Sequence, residues 1–169
     1  MSDYSRSKSA AEEVLRENFI TKPPIPVTEL VKNYGYGVAE MELPSDVAGF
    51  VNLEKKVIFV NVSDSENRKA FTIAHELGHI KLHAEELQKN PDIGILYRHP
   101  LGRKNSDEKE QEANCFAASL LVPRSMFDQI SERYKDVLTK ENKIDFMSQI
   151  FGVSPEVIGY RMRDFSFEN

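Results

Sequence analysis

Apolar residues recur at helical spacing at both ends of the chain and in strand-like runs between them. From Ser9 to Phe19, Ala10, Val14, Leu15 and Phe19 are separated by charged residues, which predicts a short amphipathic helix. Pro23, Pro24 and Pro26 end it, and Thr28 is placed to cap a second helix, Glu29 to Tyr34, closed by Gly35 and Gly37. Val38 to Leu43, Gly49 to Leu53 and Lys56 to Val62 read as strands, with Glu54 and Lys55 at a hairpin turn. Together they predict a small antiparallel sheet. The polar stretch Ser63 to Asn67 leads into a helix, Arg68 to His83, where Phe71, Ile73, Ala74, Leu77, Gly78, Ile80 and Leu82 cover most of the circumference. Periodicity fades from Glu85 to Asp107, where Pro91, Gly94, Pro100 and Gly102 mark a long irregular connection. A helix then runs from Ser106 or Asp107 to Pro123, another covers Ser125 to Tyr134, and the tail forms two short helices around Gly152, Val153 and Ser154.

The reading is therefore α+β: a small antiparallel sheet packed on the central helix, followed by a helical C-terminal half that ends in a helix-turn-helix-like pair. At 169 residues, a single domain over 1–169 is expected to bury its own core. The N-terminal helices and sheet take residues 1–62, the central helix 66–84, the loop 85–106 and the remaining helices 107–169. Cys115 is the only cysteine, so no internal disulfide forms, and the polar start MSDYSRSKSA lacks the apolar run of a signal peptide. A cytoplasmic protein is expected, and no stretch approaches the roughly 20 apolar residues of a membrane span. A net charge of -5 argues against a nucleic-acid coat protein and favours a protein partner.

The chemistry concentrates on the central helix. At about 100° per residue, Arg68, Thr72, His75, Glu76, His79 and His83 fall on one arc of an otherwise apolar helix. Imidazoles and a carboxylate aligned in a core are costly unless they are hydrogen-bonded or bind a metal. His75, Glu76 and His79 spell HExxH. One helical turn separates the two imidazoles, so both reach one ion while the carboxylate addresses its water. A zinc hydrolase on a zincin-like helix is the leading expectation. Hydrolytic zinc normally takes three protein ligands. His83 lies about 12 Å along the helix from His75, too far to share an ion with both others. His99 is a candidate third ligand, because a loop can bend toward a metal, but the helix containing Glu110 is the better source.

The segments RKAFTIAHELGHIKLH and EQEANCFAASLLVP resemble the ImmA/IrrE family of zinc metallopeptidases, whose pattern is FTxAHExGHxxLH, a variable gap, then ExxANxFAxxLLxP. PPIPVTELVKNYGYGV, AGFVN and FGVSPEVIGYRMR are also similar, so the likeness spans most of the chain and is weakest across Glu85 to Asp107. The resemblance implies one Zn2+ per chain on His75, His79 and Glu110, with Glu76 as catalytic base. It also implies a protein substrate: a helix-turn-helix transcriptional repressor, often encoded beside the peptidase in mobile elements or stress-response loci, and cleaved to derepress its genes. Asn114, one turn past Glu110, is placed to hold a ligating imidazole in its tautomer. Glu112 points about 200° away from Glu110, to the opposite flank with Ser119. Cys115 reads as packing. Tyr97, His99 and Arg103 are candidate oxyanion donors, and Gly49 to Asn52 is a candidate edge for an extended polypeptide.

Two other readings belong to different classes. Phe146 to Phe165 has the outline of a DNA-binding helix-turn-helix, with Arg161 and Arg163 on its second helix. Lys143, Arg161 and Arg163 are offset by Asp145, Glu156, Asp164 and Glu168, however, which leaves little charge for phosphates. An antitoxin-like, partner-binding regulator with a purely structural metal has no use for a base such as Glu76 beside an open coordination position.

Overall fold

The computed structural model describes residues 4–89 and 108–167. Helix α1, Ser5–Glu17, begins four residues before the apolar stripe predicts because tertiary contacts order its first turn. Arg6 Nη2 donates to the Leu82 carbonyl at 2.8 Å, and Lys8 Nζ meets Asp164 Oδ1 at 2.7 Å. Ala11, Val14 and Leu15 are buried, but Phe19, expected on the same face, is 89% exposed. It lies past the helix end with φ 54°, after the chain has turned away from the stripe. In α2, Val27–Asn33, the N-cap is Pro26, and Thr28 sits in the first turn instead of capping it. Gly35 closes that helix at φ 81°. Gly35 N bonds to Lys32 O and Tyr36 N to Val31 O, the paired bonds of a Schellman ending.

Three strands follow: β1, Gly37–Met41, β2, Gly49–Asn52, and β3, Val57–Asn61, in the spatial order β1-β3-β2. The β2–β3 hairpin is antiparallel, as expected, but β1 runs parallel to β3, so the sheet is mixed. The cause lies in the link 42–48, which carries the chain past the end of β3 to its far side. Asn61, only 2% exposed, clamps that link: its backbone N–H bonds to Ala48 O at 2.8 Å. Its Nδ2 donates to the carbonyls of Leu43, Pro44 and Val47 at 3.2, 3.3 and 3.0 Å.

Helix α3, Glu66–Leu82, is capped by the Ser65 hydroxyl, which accepts from Arg68 N. Strand β2 lies directly on it. A Cβ on Gly49 would stand 2.3 Å from the Phe59 carbonyl oxygen and 2.6 Å from Thr72 Cγ2, so only glycine fits there. Helix α4, Ala84–Lys89, occupies the start of the stretch expected to be irregular. Its sequence AEELQK consists of good helix formers. Helix α5, Glu108–Leu121, packs across α3 in the most extensive pairing of the fold. The crossing is tight at Gly78, where a Cβ would meet Phe116 Cδ1 at 3.0 Å and Ala113 Cα at 3.2 Å. Ala74, Leu77, Phe116, Ala117 and Leu120 are all 0% exposed around it. Cys115 is also buried, beside Ser119 and Tyr160.

Pro123 then caps α6, Arg124–Arg133, and the chain ends in α7, Lys143–Phe151, and α8, Pro155–Phe167, joined at Gly152 with φ 64°. Phe151, Val153 and Ile158 bury this pair against the core. Among the described residues, no helix is long and apolar enough to cross a membrane.

Candidate metal centre

The close α3–α5 crossing brings Glu110, near the start of α5, over the stripe of α3. His75 Nε2 and His79 Nε2 are 3.0 Å apart, and the Glu110 carboxylate reaches both, at 3.3 Å to His75 and 3.0 Å to His79. These three side chains form a group able to hold a metal ion. Their mutual distances suit one: a tetrahedral ion with bonds of about 2.0 to 2.1 Å holds its ligand atoms about 3.3 Å apart. Glu110 Oε1 is buried and has no hydrogen-bond partner among the described residues, a costly arrangement that a cation would relieve. Two imidazole nitrogens and a carboxylate oxygen are a donor set suited to zinc, with a fourth position left open. The residues present fit the ion.

The atoms behind the ligands point their lone pairs inward. His75 Nδ1 lies 2.9 Å from Asn114 Oδ1, which can only accept, so the ring proton sits on Nδ1 and Nε2 faces the site. On the other imidazole, His79 Nδ1 is 3.1 Å from His83 Nδ1, and His83 Nε2 is 2.8 Å from Glu112 Oε2. Sequence reasoning set both His83 and Glu112 aside as ligands, and neither belongs to the group of His75, His79 and Glu110. It missed that they pair with each other behind His79. The signal was present in the polar stripe, which continues one turn past the HExxH pair to a histidine that needs a partner.

Electrostatics follow from this burial. Burial pulls His79 down to about 4, against the pull of Glu110, which leaves it a neutral donor. Burial pushes the Glu110 carboxyl up, but the His75 and His79 imidazoles beside it outweigh that and bring it to about 2. Burial depresses His75 as well, yet Glu110, Glu76 and Asn114 together hold it above its ordinary value. A cation entering the site competes with that proton. Glu76, 3% exposed, is raised to about 7 by burial and by the charge of Glu110, opposed by His75 and by a bond from the Val51 backbone N–H of β2. A carboxylate at that value is matched to proton transfer near neutral pH.

Around the centre, β2 is an outer strand of the sheet. A mostly apolar cavity of about 560 Å³ shares Asn114 with the site and is walled by Phe71, Ala118, Val157 and Tyr160. Tyr97, His99 and Arg103 lie outside the described residues. Of the two arginines expected on a DNA-reading helix, Arg163 is exposed and Arg161 is buried. Arg161 is 3% exposed, its Nε donates to the Val122 carbonyl at 3.1 Å, and its guanidinium pairs with Asp164 and stacks on Phe165. That side chain is consumed by packing α8 onto the core.

A family model described as Peptidase_M78, IrrE N-terminal-like domain, matches residues 35–163. Among solved structures, a Mycobacterium tuberculosis transcriptional regulator is similar to this chain, with a TM-score of 0.65 and 22% identity, over 93% of this chain. At that identity the likeness is one of fold, and this chain spans 46% of the regulator's length. No curated protein matches it.

Proposed function

The chain belongs to the IrrE N-terminal-like domain family, Peptidase_M78, and on that premise we propose that it is a zinc-dependent endopeptidase that cuts a helix-turn-helix repressor and so releases the genes the repressor holds off. The observation that carries this reading is the buried convergence of His75 Nε2, His79 Nε2 and a Glu110 oxygen with no hydrogen-bond partner, beside a carboxyl raised to about 7. His75, His79 and Glu110 would hold one zinc ion. When bound, zinc lowers the pKa of water to about 7 and polarises a carbonyl.

The chain's own residues supply the rest. Glu76 accepts the attacking water's proton and delivers it to the leaving amine, so no nucleophilic side chain is required. The Val51 N–H holds the carboxylate toward the site from the edge strand. Asn114 fixes the tautomer of His75. An extended polypeptide suits the surroundings: β2 offers a strand edge for backbone pairing, and the cavity beside Asn114 offers an apolar wall for a side chain. Tyr97, His99 and Arg103 remain candidates for a second oxyanion donor. The repressor as substrate rests on the family resemblance alone, and a cytoplasmic location on the single cysteine and the polar start of the sequence.

The test is co-incubation of the purified protein with the helix-turn-helix regulator encoded beside its gene, with and without a chelator. Cleavage should require zinc, and Glu76→Gln should lower its rate about 10²- to 10⁴-fold while zinc stays bound, because the amide keeps the shape but takes no proton. Near wild-type cleavage by Glu76→Gln overturns the general-base role. A regulator that binds DNA or a partner without catalysis is the second reading, favoured by the description of the similar Mycobacterium tuberculosis protein. The buried state of Arg161 weighs against its DNA-binding form.

A further inference from the structure

We propose that His83 and Glu112 form a positioning relay that fixes the tautomer of His79 and thereby sets the affinity of the metal centre. This inference rests on the metal reading of His75, His79 and Glu110. The geometry is a single file of groups: Glu112 Oε2 to His83 Nε2 at 2.8 Å, His83 Nδ1 to His79 Nδ1 at 3.1 Å, and His79 Nε2 to Glu110 Oε1 at 3.0 Å.

Counting protons along that file leaves one arrangement compatible with a cation. The Glu112 carboxylate has only lone pairs to offer, so His83 carries a proton on Nε2. With that ring neutral, its Nδ1 is bare and accepts from His79 Nδ1–H. His79 Nε2 is then bare in turn, and its lone pair faces the ligand set. With Glu112 gone, His83 is free to hold its proton on Nδ1 and donate to His79 Nδ1, which moves the His79 proton to Nε2, where it blocks the ion. Because His79 is 0% exposed and His83 7% exposed, bulk water is poorly placed to replace the relay.

The two imidazoles are thus held differently. His75 is held by one amide oxygen, and His79 by a second imidazole that is itself held by a carboxylate. The residue spacing makes this cheap to build. His83 is one turn past His79 and closes α3 as its C-cap, while Glu112 leaves α5 on the flank opposite Glu110. One helix therefore supplies a ligand from one side and the relay's anchor from the other.

Zinc affinity, measured by chelator competition, tests the relay without recourse to activity. Glu112→Ala and His83→Ala should each weaken zinc binding about 10- to 100-fold, the usual cost of removing a group that orients a ligand. The double variant should be no weaker than His83→Ala alone, since both act through one chain of bonds. Glu112→Gln, whose amide oxygen still accepts from His83, should recover most of the affinity. In nitrogen-15 spectra of the zinc-loaded protein, the His79 Nδ1–H signal should shift in Glu112→Ala. Glu112 is partly exposed, so that variant keeps the test open should His83→Ala fail to fold. His75→Ala separates the two layers of the argument. If it loses zinc while Glu112→Ala binds as wild type, the relay is wrong and the metal centre stands. If His75→Ala also binds as wild type, the metal centre itself is wrong.

Discussion

Among the described residues, two clusters of buried charge differ in whether their valences are filled. On α8, Arg161 is closed: the Val122 carbonyl, Asp164 and the Phe165 ring surround its guanidinium, and Asp164 also takes Lys8. On α3 and α5, the His75, His79 and Glu110 group is open, with three lone-pair atoms facing one point and an oxygen left without a donor. Folding has no use for an open arrangement, because an unsatisfied buried polar atom costs about 1–3 kcal/mol. The contrast separates a residue retained for packing from residues kept for a ligand, although both are charged and buried.

The sharpest way to break this comparison is to remove a member of each cluster and ask what fails. Arg161→Ala should destabilise the fold by about 1–3 kcal/mol, since it leaves the buried Val122 carbonyl without its donor while Asp164 keeps Lys8, and zinc affinity of the folded fraction should stay unchanged. Glu110→Gln should instead weaken zinc binding at least about a hundredfold, roughly 3 kcal/mol, and should also lower the stability of the zinc-free protein near neutral pH, because the depressed Glu110 carboxyl means that the fold favours its ionised form. Urea denaturation and chelator competition on both variants decide it. A loss of zinc affinity in folded Arg161→Ala would show that the clusters are not separate.

A second prediction sharpens the claim that the open cluster is held against the fold's own preference. Glu76 titrates at about 7 in the folded chain against an ordinary 4.5, so the folded state binds its proton more tightly than the unfolded state does. Stability from this group is therefore greatest below about 4.5, falls as pH rises toward 7, and stays lower above it. The deficit at pH 8 is about 3 kcal/mol, at about 1.4 kcal/mol per unit of pKa. Glu76→Gln should remove it, making the zinc-free variant more stable than wild type at pH 8 but not at pH 4. Urea midpoints at the two pH values measure the difference. An advantage that is equal at both would sink the assignment of the cost to ionised Glu76.

How far the sequence announced these features depended on how local they are. HExxH lies within five residues, so helical phase alone aligns His75, Glu76 and His79, and the same reasoning turned Glu110 and Asn114 to one flank of α5. The parallel pairing of β1 was not legible, because apolar runs report which face is buried and not which way a strand runs. Its determinant, Asn61, looks like an ordinary polar strand end until its bonds to the 42–48 link are seen. The pairing of His83 with Glu112 joins two helices 29 residues apart, beyond the reach of any periodicity. Counting charges in the tail treated Arg161 as a surface group, although burial had already committed it.

The smallest predicted effect concerns the joint that sets α5 against α3. Gly78→Ala places a methyl group 3.0 Å from Phe116 Cδ1, 3.2 Å from Ala113 Cα and 3.3 Å from the Ala113 carbonyl oxygen. Two of those atoms are backbone and cannot rotate away, so α5 must move outward by a few tenths of an ångström. Overpacking of this kind costs about 1–3 kcal/mol, but alanine recovers about 1 kcal/mol of helix propensity over glycine. The net loss of stability should be about 1 kcal/mol. Glu110 lies one turn before Ala113 on the displaced helix, so zinc affinity should fall several-fold although no ligand has been touched. At Gly49 the same substitution meets a carbonyl oxygen at 2.3 Å and should cost the fold considerably more. If Gly78→Ala left zinc affinity unchanged while lowering the melting temperature, the crossing would serve packing alone, and Gly78 would belong with the closed cluster.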